Sequence, residues 1–228
     1  MQQIPLPIGP QPEPNFDNFL PGGNAAALHH LRTLVLPAAP VYLWGPAGSG
    51  KSHLLRALAA HVQAQGQRVG WFDAADSLPW LLSPGWSGVV IDRCETLDAE
   101  AQQAAFALFI EAAAHGVQVA AAGRLPPVDL PLRDDLRTRL GWGHVFALQA
   151  LPDAETRAAL RREGDRRGIL LSDELMDHLL THFPRDLGHL MRLFDRLDNF
   201  ALARSRRLTV PLLRQMLAEE ADTPVSTA

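Results

Sequence analysis

The sequence predicts an α/β fold, a mainly parallel β-sheet sandwiched by helices, followed by a second, all-α unit. Three observations predict it. From residue 41 to residue 151, short apolar runs alternate with helical patterns, as expected of a parallel sheet covered on both faces. The first run, Val41-Tyr-Leu-Trp44, feeds Gly45-Pro46-Ala47-Gly48-Ser49-Gly50-Lys51-Ser52, a G-x-x-x-x-G-K-[ST] segment that continues as the helical pattern His53-Leu-Leu-Arg-Ala-Leu. Strand, glycine-rich turn and helix form the context that a phosphate-binding P-loop needs. After Leu151-Pro152, helical periodicity takes over and no strand of comparable quality returns.

Composition sets the outer bounds. A chain of 228 residues, 47% of them apolar, makes one large domain or two small ones with a real core. A net charge of −4 gives no general nucleic-acid surface. One cysteine, Cys94, excludes an internal disulfide framework, and its place beside an apolar strand reads as a buried thiol. No run is long and apolar enough for a membrane span, and the N-terminus has no signal-peptide pattern, so the expectation is a soluble, cytoplasmic protein without a membrane partner.

Residues 1–15 hold five prolines and read as an extended tail. Its start, Gln3-Ile4-Pro5-Leu6-Pro7-Ile8, is more apolar than a linker needs, and is either a proline-rich leader or a docking peptide. Phe16 and Phe19 lie near a glycine-rich turn, where they either cover an adenine or anchor the tail. Ala25 to Leu36 reads as a helix with Asn24 as N-cap. After the P-loop helix, Gly66 is a helix stop. Strands follow at Arg68 to Asp73, Gly88 to Asp92, Val117 to Ala122 and His144 to Leu148. Between them come at best a short helix at Asp76 to Leu82, then helices at Asp98 to His115 and Leu132 to Leu140. The all-α unit reads as four helices, Asp153 to Arg167, Asp173 to Phe183, Arg185 to Ala203 and Val210 to Glu219, with Asp153 and Ser172 as N-caps. The expected organisation is a tail at 1–15, a nucleotide-binding unit at 16–151, a helical lid at 152–221 and a frayed end at 222–228.

The chemistry follows from residue types. Glycines let backbone N–H groups turn inward around phosphate oxygens, and the helix start adds donors and partial positive charge. Residues Gly45 through His53 are therefore the candidate nucleotide site, with Lys51 reaching the β- and γ-phosphates. Ser52 and Asp92, a carboxylate ending an apolar strand, are candidate Mg²⁺ ligands. The residue after Asp92 is Arg93 where hydrolytic P-loop proteins often place an acid. The fourth strand ends Ala122-Gly123-Arg124 instead of in a short polar side chain. Both departures point to a site that binds nucleotide and hydrolyses it weakly or not at all. His178 and His182, four apart, have no partner pattern that makes a metal site and read as ordinary lid residues.

Together these segments resemble the AAA+ ATPases of the DnaA clade, and within it the Hda-type regulatory inactivators of the replication initiator DnaA, over nearly the whole chain. FDNF at 16–19, YLWGPAGSGKSHLL at 42–55 and VVIDRCETL at 89–97 are similar to the family's opening, Walker A and Walker B segments, with Arg93 as a departure. GRLPP at 123–127 stands where the family has an acid followed by Arg-Pro-Pro, so its first sensor role is not carried over. DDLRTRLGWGHVFALQAL at 134–151 is similar to the arginine-finger segment and implies Arg139 as a finger acting in trans. FPRDL at 183–187 is similar to the second sensor and implies that Arg185 contacts the nucleotide. The resemblance also implies that Gln3, Ile4, Leu6, Pro7 and Ile8 dock on the DNA polymerase sliding clamp (its beta subunit). No helix-turn-helix DNA-binding domain is expected after the lid.

The expectation is a regulator of replication initiation that holds ADP or ATP with Mg²⁺, docks on the clamp and stimulates hydrolysis of DnaA-bound ATP. It would meet DNA only indirectly, through the clamp. A self-hydrolysing AAA+ loader or replication motor, and a DnaA-like scaffold independent of the clamp, are the alternatives. A small-molecule kinase is disfavoured by the long helical unit. Oligomeric state is left open, a homo-oligomer among the alternatives.

Overall fold

A computed structural model describes residues 13–184 and 186–222. The tail residues Gln3, Ile4, Leu6, Pro7 and Ile8, the lid residue Arg185 and the end at 223–228 lie outside the described residues. The chain divides into two compact units, Glu13–Ala150 and a second beginning at Leu151.

In the first unit, five strands form one parallel sheet: β1 (Val41–Trp44), β2 (Arg68–Phe72), β3 (Trp86–Ile91), β4 (Gln118–Gly123) and β5 (His144–Ala147), in the order β2-β3-β4-β1-β5. The helices are α1 (Ala25–Arg32), α2 (Lys51–Ala64), α3 (Ala99–Ala114) and α4 (Asp134–Leu140). Strand alternation divides the core. Val41, Leu43, Val90, Ala120 and Ala122 face α2 and pack with Leu54, Leu55 and Leu58. Tyr42, Val89, Ile91 and Ala121 face the other way and pack with Leu108 of α3 and with Leu136 and Leu140 of α4. The alanines of β4 keep the central strand thin between two helical layers.

Several local expectations change. Helix α1 stops at Arg32, four residues short of Leu36, where Thr33 turns its hydroxyl back onto the His29 carbonyl. Asn24 does not cap it. Its side chain spans to the far end of the unit instead, donating to the Gln149 carbonyl at 2.8 Å and accepting from the Gln149 N–H at 2.8 Å. No helix forms over 76–82, because Asp73 and Asp76 close a tight turn on each other's backbone. Phe16 and Phe19 are buried anchors in the α2-side core. Cys94 is buried, and that burial pushes its thiol above the usual range, as befits an inert thiol.

The second unit contains α5 (Asp153–Arg166), α6 (Asp173–His182), α7 (Leu187–Arg204) and α8 (Val210–Asp222), around a core of Leu160, Leu175, Leu179, Leu190, Leu193 and Leu213. Ser172 caps α6, its hydroxyl accepting from the Leu175 N–H. Asp153 is the first helical residue rather than the cap, since Pro152 takes that position. Among the described residues, no helix is long and apolar enough to cross a membrane.

Candidate functional site

The sheet's connectivity creates the site. From β1 the chain passes to α2 on one face, while from the adjacent β4 it passes to α4 on the other. Where connections diverge from neighbouring parallel strands, a crevice opens beyond their carboxyl ends. The residues from Gly45 to Gly50, with Asp92 at the tip of β3 and Arg124 at the tip of β4, border that crevice.

Gly45, Gly48 and Gly50 all have positive φ (149°, 76° and 92°), the backbone that bends N–H groups inward. A Cβ on Gly45 would lie 2.2 Å from the Leu148 carbonyl, and one on Gly50 would lie 2.6 Å from the Phe19 ring. Both positions therefore need glycine to keep the cradle open and pressed against its supports. Lys51 and Ser52 open α2, so the helix start aims its free donors into the same space. The Lys51 ammonium donates to the carbonyls of Gly45 at 2.8 Å and Pro46 at 2.7 Å.

Ser52 donates its hydroxyl to Asp92 at 2.6 Å, and Asp92 is only 5% exposed. A hydroxyl beside a buried carboxylate is an all-oxygen donor set of the kind a hard divalent cation prefers. Cradle and donor pair thus fit a Mg²⁺–nucleotide. His53 is turned outward from the cradle. Its ring packs on Phe19 at 5.4 Å and its Nε2 lies 3.1 Å from the Asn15 carbonyl, pinning the segment before α1 to the start of α2.

Arg93 has left-handed backbone (φ 53°) and a side chain directed away from the crevice, onto Asp73 at 2.5 Å. Burial alone would raise the Asp73 carboxyl, but the Ala75 N–H and the Arg93 guanidinium outweigh it and hold it below its usual value. The left-handed turn also brings Glu95 back towards the sheet, which sequence reasoning missed. Its carboxylate accepts from the Arg124 N–H at 3.1 Å and would sit 3.3 Å from a Cβ on Gly123. The signal lay in the Arg-Cys-Glu spacing, but left-handed backbone at an arginine is not written in the sequence. An acid therefore does reach the tip of β4.

Arg139 lies elsewhere. It lies in the last turn of α4, which leads to the amino end of the sheet. The turn after it is held by the His144 N–H donating to the Pro40 carbonyl at 2.8 Å, just before β1 begins. Gly143 makes this possible, because a Cβ there would strike the Pro40 backbone. The Arg139 guanidinium stands 5.7 Å from the ring centre of Trp142, which is 67% exposed. The P-loop leaves the opposite end of β1. In the helical unit, the rings of His178 and His182 stack at 4.1 Å. Among the described residues, no group of three or more His, Cys, Asp or Glu is placed to hold a metal.

Residues 153–217 match the family described as Hda, lid domain. Residues 153–217 are thus similar to an Hda lid, and the chain has the fold of AAA+ domains. Domain III of the Thermotoga maritima replication initiation protein DnaA superposes with a TM-score of 0.72 at 19% identity, covering 92% of this chain and 97% of that one. AMPPCP-bound DnaA from Aquifex aeolicus superposes at 0.68 and 19% identity, covering 93% and 71%. A point mutant of Thermotoga maritima RuvB superposes at 0.60 and 16% identity, covering 90% and 72%. At such identities the DnaA and RuvB likenesses establish the fold alone.

Proposed function

We propose that this DnaA-like AAA+ protein is an Hda-type regulator of replication initiation that holds ADP or ATP in its own cradle and promotes hydrolysis of ATP held by DnaA. Residues Gly45 to His53 would hold the phosphates, Lys51 would neutralise their charge, and Ser52 and Asp92 would hold Mg²⁺. When bound, Mg²⁺ supplies charge neutralisation and orients the phosphate oxygens. Arg185 would add a contact from the helical unit. Gln3, Ile4, Leu6, Pro7 and Ile8 would dock on the sliding clamp, raising the local concentration of Arg139 beside clamp-bound partners. Arg139 would then approach a neighbour's γ-phosphate, where a guanidinium stabilises charge developing in phosphoryl transfer.

The observation that carries this reading is the separation of Arg139 from its own cradle, one at each end of β1. A guanidinium there stands at the end of β1 opposite its own P-loop, half-buried beside the exposed Trp142. The test is single-turnover hydrolysis of DnaA-bound ATP with clamp on DNA. Arg139→Ala is expected to lose the stimulation, by about 10³-fold or more, while keeping nucleotide and clamp binding. Undiminished stimulation rules the finger out. Replacing Gln3 and Leu6 by alanine is expected to abolish co-elution with the clamp and leave nucleotide affinity intact.

A second reading, an AAA+ protein that turns over its own ATP, draws support from Glu95, whose carboxylate reaches the β4 tip. Steady-state ATPase of the protein alone, compared with its Glu95→Gln variant, separates the two.

A further inference from the structure

The helical unit carries a pair of side chains that the reading above does not use. His178 and His182 are four apart on α6, so they stand on consecutive turns of one face. Spacing alone gives such a pair no chemistry, but the side chains add to it. Their rings stack with centres 4.1 Å apart and 27° between the planes. Two nitrogens that share one metal ion at roughly 2.0–2.1 Å lie about 3 Å apart, so small ring rotations bring the pair to chelating distance. The His182 Nδ1 lies 3.1 Å from the His178 carbonyl. A carbonyl only accepts, so Nδ1 carries the proton and Nε2 keeps its lone pair. Metal-bound histidines are held in this way, the second ring nitrogen donating to a carbonyl or carboxylate. The His182 Nε2 and both ring nitrogens of His178 have no hydrogen bond among the described residues, and none of them is a buried orphan. His30 and His144 make the contrast, because there the free Nε2 of His30 is buried. Around His178 the charges oppose each other: Arg214 repels a cation, and Glu174, one turn earlier on α6, draws one.

We propose that His178 and His182 form a chelating site on α6 for one divalent transition-metal ion of the copper, nickel and zinc group, bound through the two imidazoles with water in its remaining positions. Imidazole suits these ions, and affinity for such a site rises from Ni²⁺ to Cu²⁺ and falls again at Zn²⁺. Mg²⁺ prefers oxygen and holds its water, so it is a poor ligand for this pair. The oxygens of Ser52 and Asp92 have the opposite preference, and the chain thus sorts ions by donor type between its two units. An ion on the pair ties the last two turns of α6 together and favours the folded helix by mass action. The site stands whether or not the cradle holds a nucleotide.

The test is calorimetric titration of the full chain, free of any affinity tag, with Ni²⁺, for wild type, His178→Gln, His182→Gln and His115→Gln. Either α6 variant is expected to weaken Ni²⁺ by about tenfold or more, since losing a ligand costs no less than losing its supporting hydrogen bond. His115 is the control: it is exposed and its Nδ1 donates to the Glu111 carbonyl at 2.8 Å, but it has no stacked histidine beside it. Its variant is expected to keep the wild-type affinity within about twofold. Cu²⁺ is expected to displace Ni²⁺, and equimolar Mg²⁺ to leave it bound. Ni²⁺ is also expected to raise the melting midpoint of the wild type and of His115→Gln, but not of His182→Gln. Wild-type affinity no tighter than that of the α6 variants, an equal loss in His115→Gln, or displacement by equimolar Mg²⁺ overturns the site. Should His178→Gln lose its melting transition, His182→Gln, which changes an exposed ring, carries the decision.

Discussion

His30 shows how a single side chain sets a pH limit on this fold. Its ring lies 4.3 Å from that of His144 and 5.1 Å from that of Phe146, and its Nε2 is buried without a partner. Burial, then the neighbouring His144 and His29, hold its pKa below the ordinary 6.5. His53 and His178 are shifted the same way, burial leading in each. With the folded value below the unfolded one, the unfolded chain binds more protons once the pH drops under about 6.5, so stability is full above that point and declines below it. Melting curves from pH 7.5 to 5.5 are expected to show a falling midpoint, and His30→Leu is expected to flatten part of the slope. An unaltered slope in that variant places the effect in other groups. At this scale the sequence was legible only where chemistry is contiguous. The Gly45 to Ser52 cradle could be read directly, because its spacing is local. Glu95 could not, because its arrival at the β4 tip depends on the backbone sign of Arg93, and neither could the outward turn of His53 onto Asn15.

Whole elements were more legible, and their errors sit at the ends. All five strands were readable from apolar runs; β1, β3 and β4 are largely buried parallel strands with little polar alternation to confuse the reading, while the edge strands β2 and β5 are more exposed. The misread boundaries, at Thr33, at Asp73 to Asp76 and at Pro152, are places where a side chain or a proline decides between two local conformations. In the helical unit, Arg167 joins two elements. It bonds Glu163 at 2.6 Å just before the end of α5, reaches Asp195 at 2.5 Å and Asp198 at 3.5 Å on α7, and lies 5.0 Å from the Phe194 ring centre. The site is only partly exposed and Glu163 also pairs with Arg166, so what Arg167 adds is the link from α5 to Asp195 and Asp198 on α7. Arg167→Ala is expected to destabilise the helical unit by about 1–3 kcal/mol in urea titration. Arg167→Lys is expected to recover little of it, because an ammonium cannot span three carboxylates as the planar fork does. Full recovery by lysine would mean that charge alone matters here.

At the scale of the molecule, the α/β unit is fastened where it begins and ends. Asn24, 4% exposed, exchanges two hydrogen bonds with the Gln149 backbone across 125 positions of chain. The Gln149 side chain packs so tightly on Gly23 that a Cβ there would approach its amide oxygen to 2.8 Å. Asn24→Leu would strand the Gln149 N–H and carbonyl together, and is expected to cost about 2 kcal/mol or more in the unfolding free energy of this unit. A loss smaller than about 0.5 kcal/mol, the range of an ordinary surface change, would show the fastening to be incidental. The pair has a further meaning. A stretch of chain whose first and last turns are buckled side by side behaves as a cassette. Adjacent ends of this kind are where insertion into another polypeptide is best tolerated. Because Phe16 and Phe19 precede this clasp and still pack into the core, Phe19 against Gly50 of the cradle itself, the portable stretch begins with them and not at residue 24.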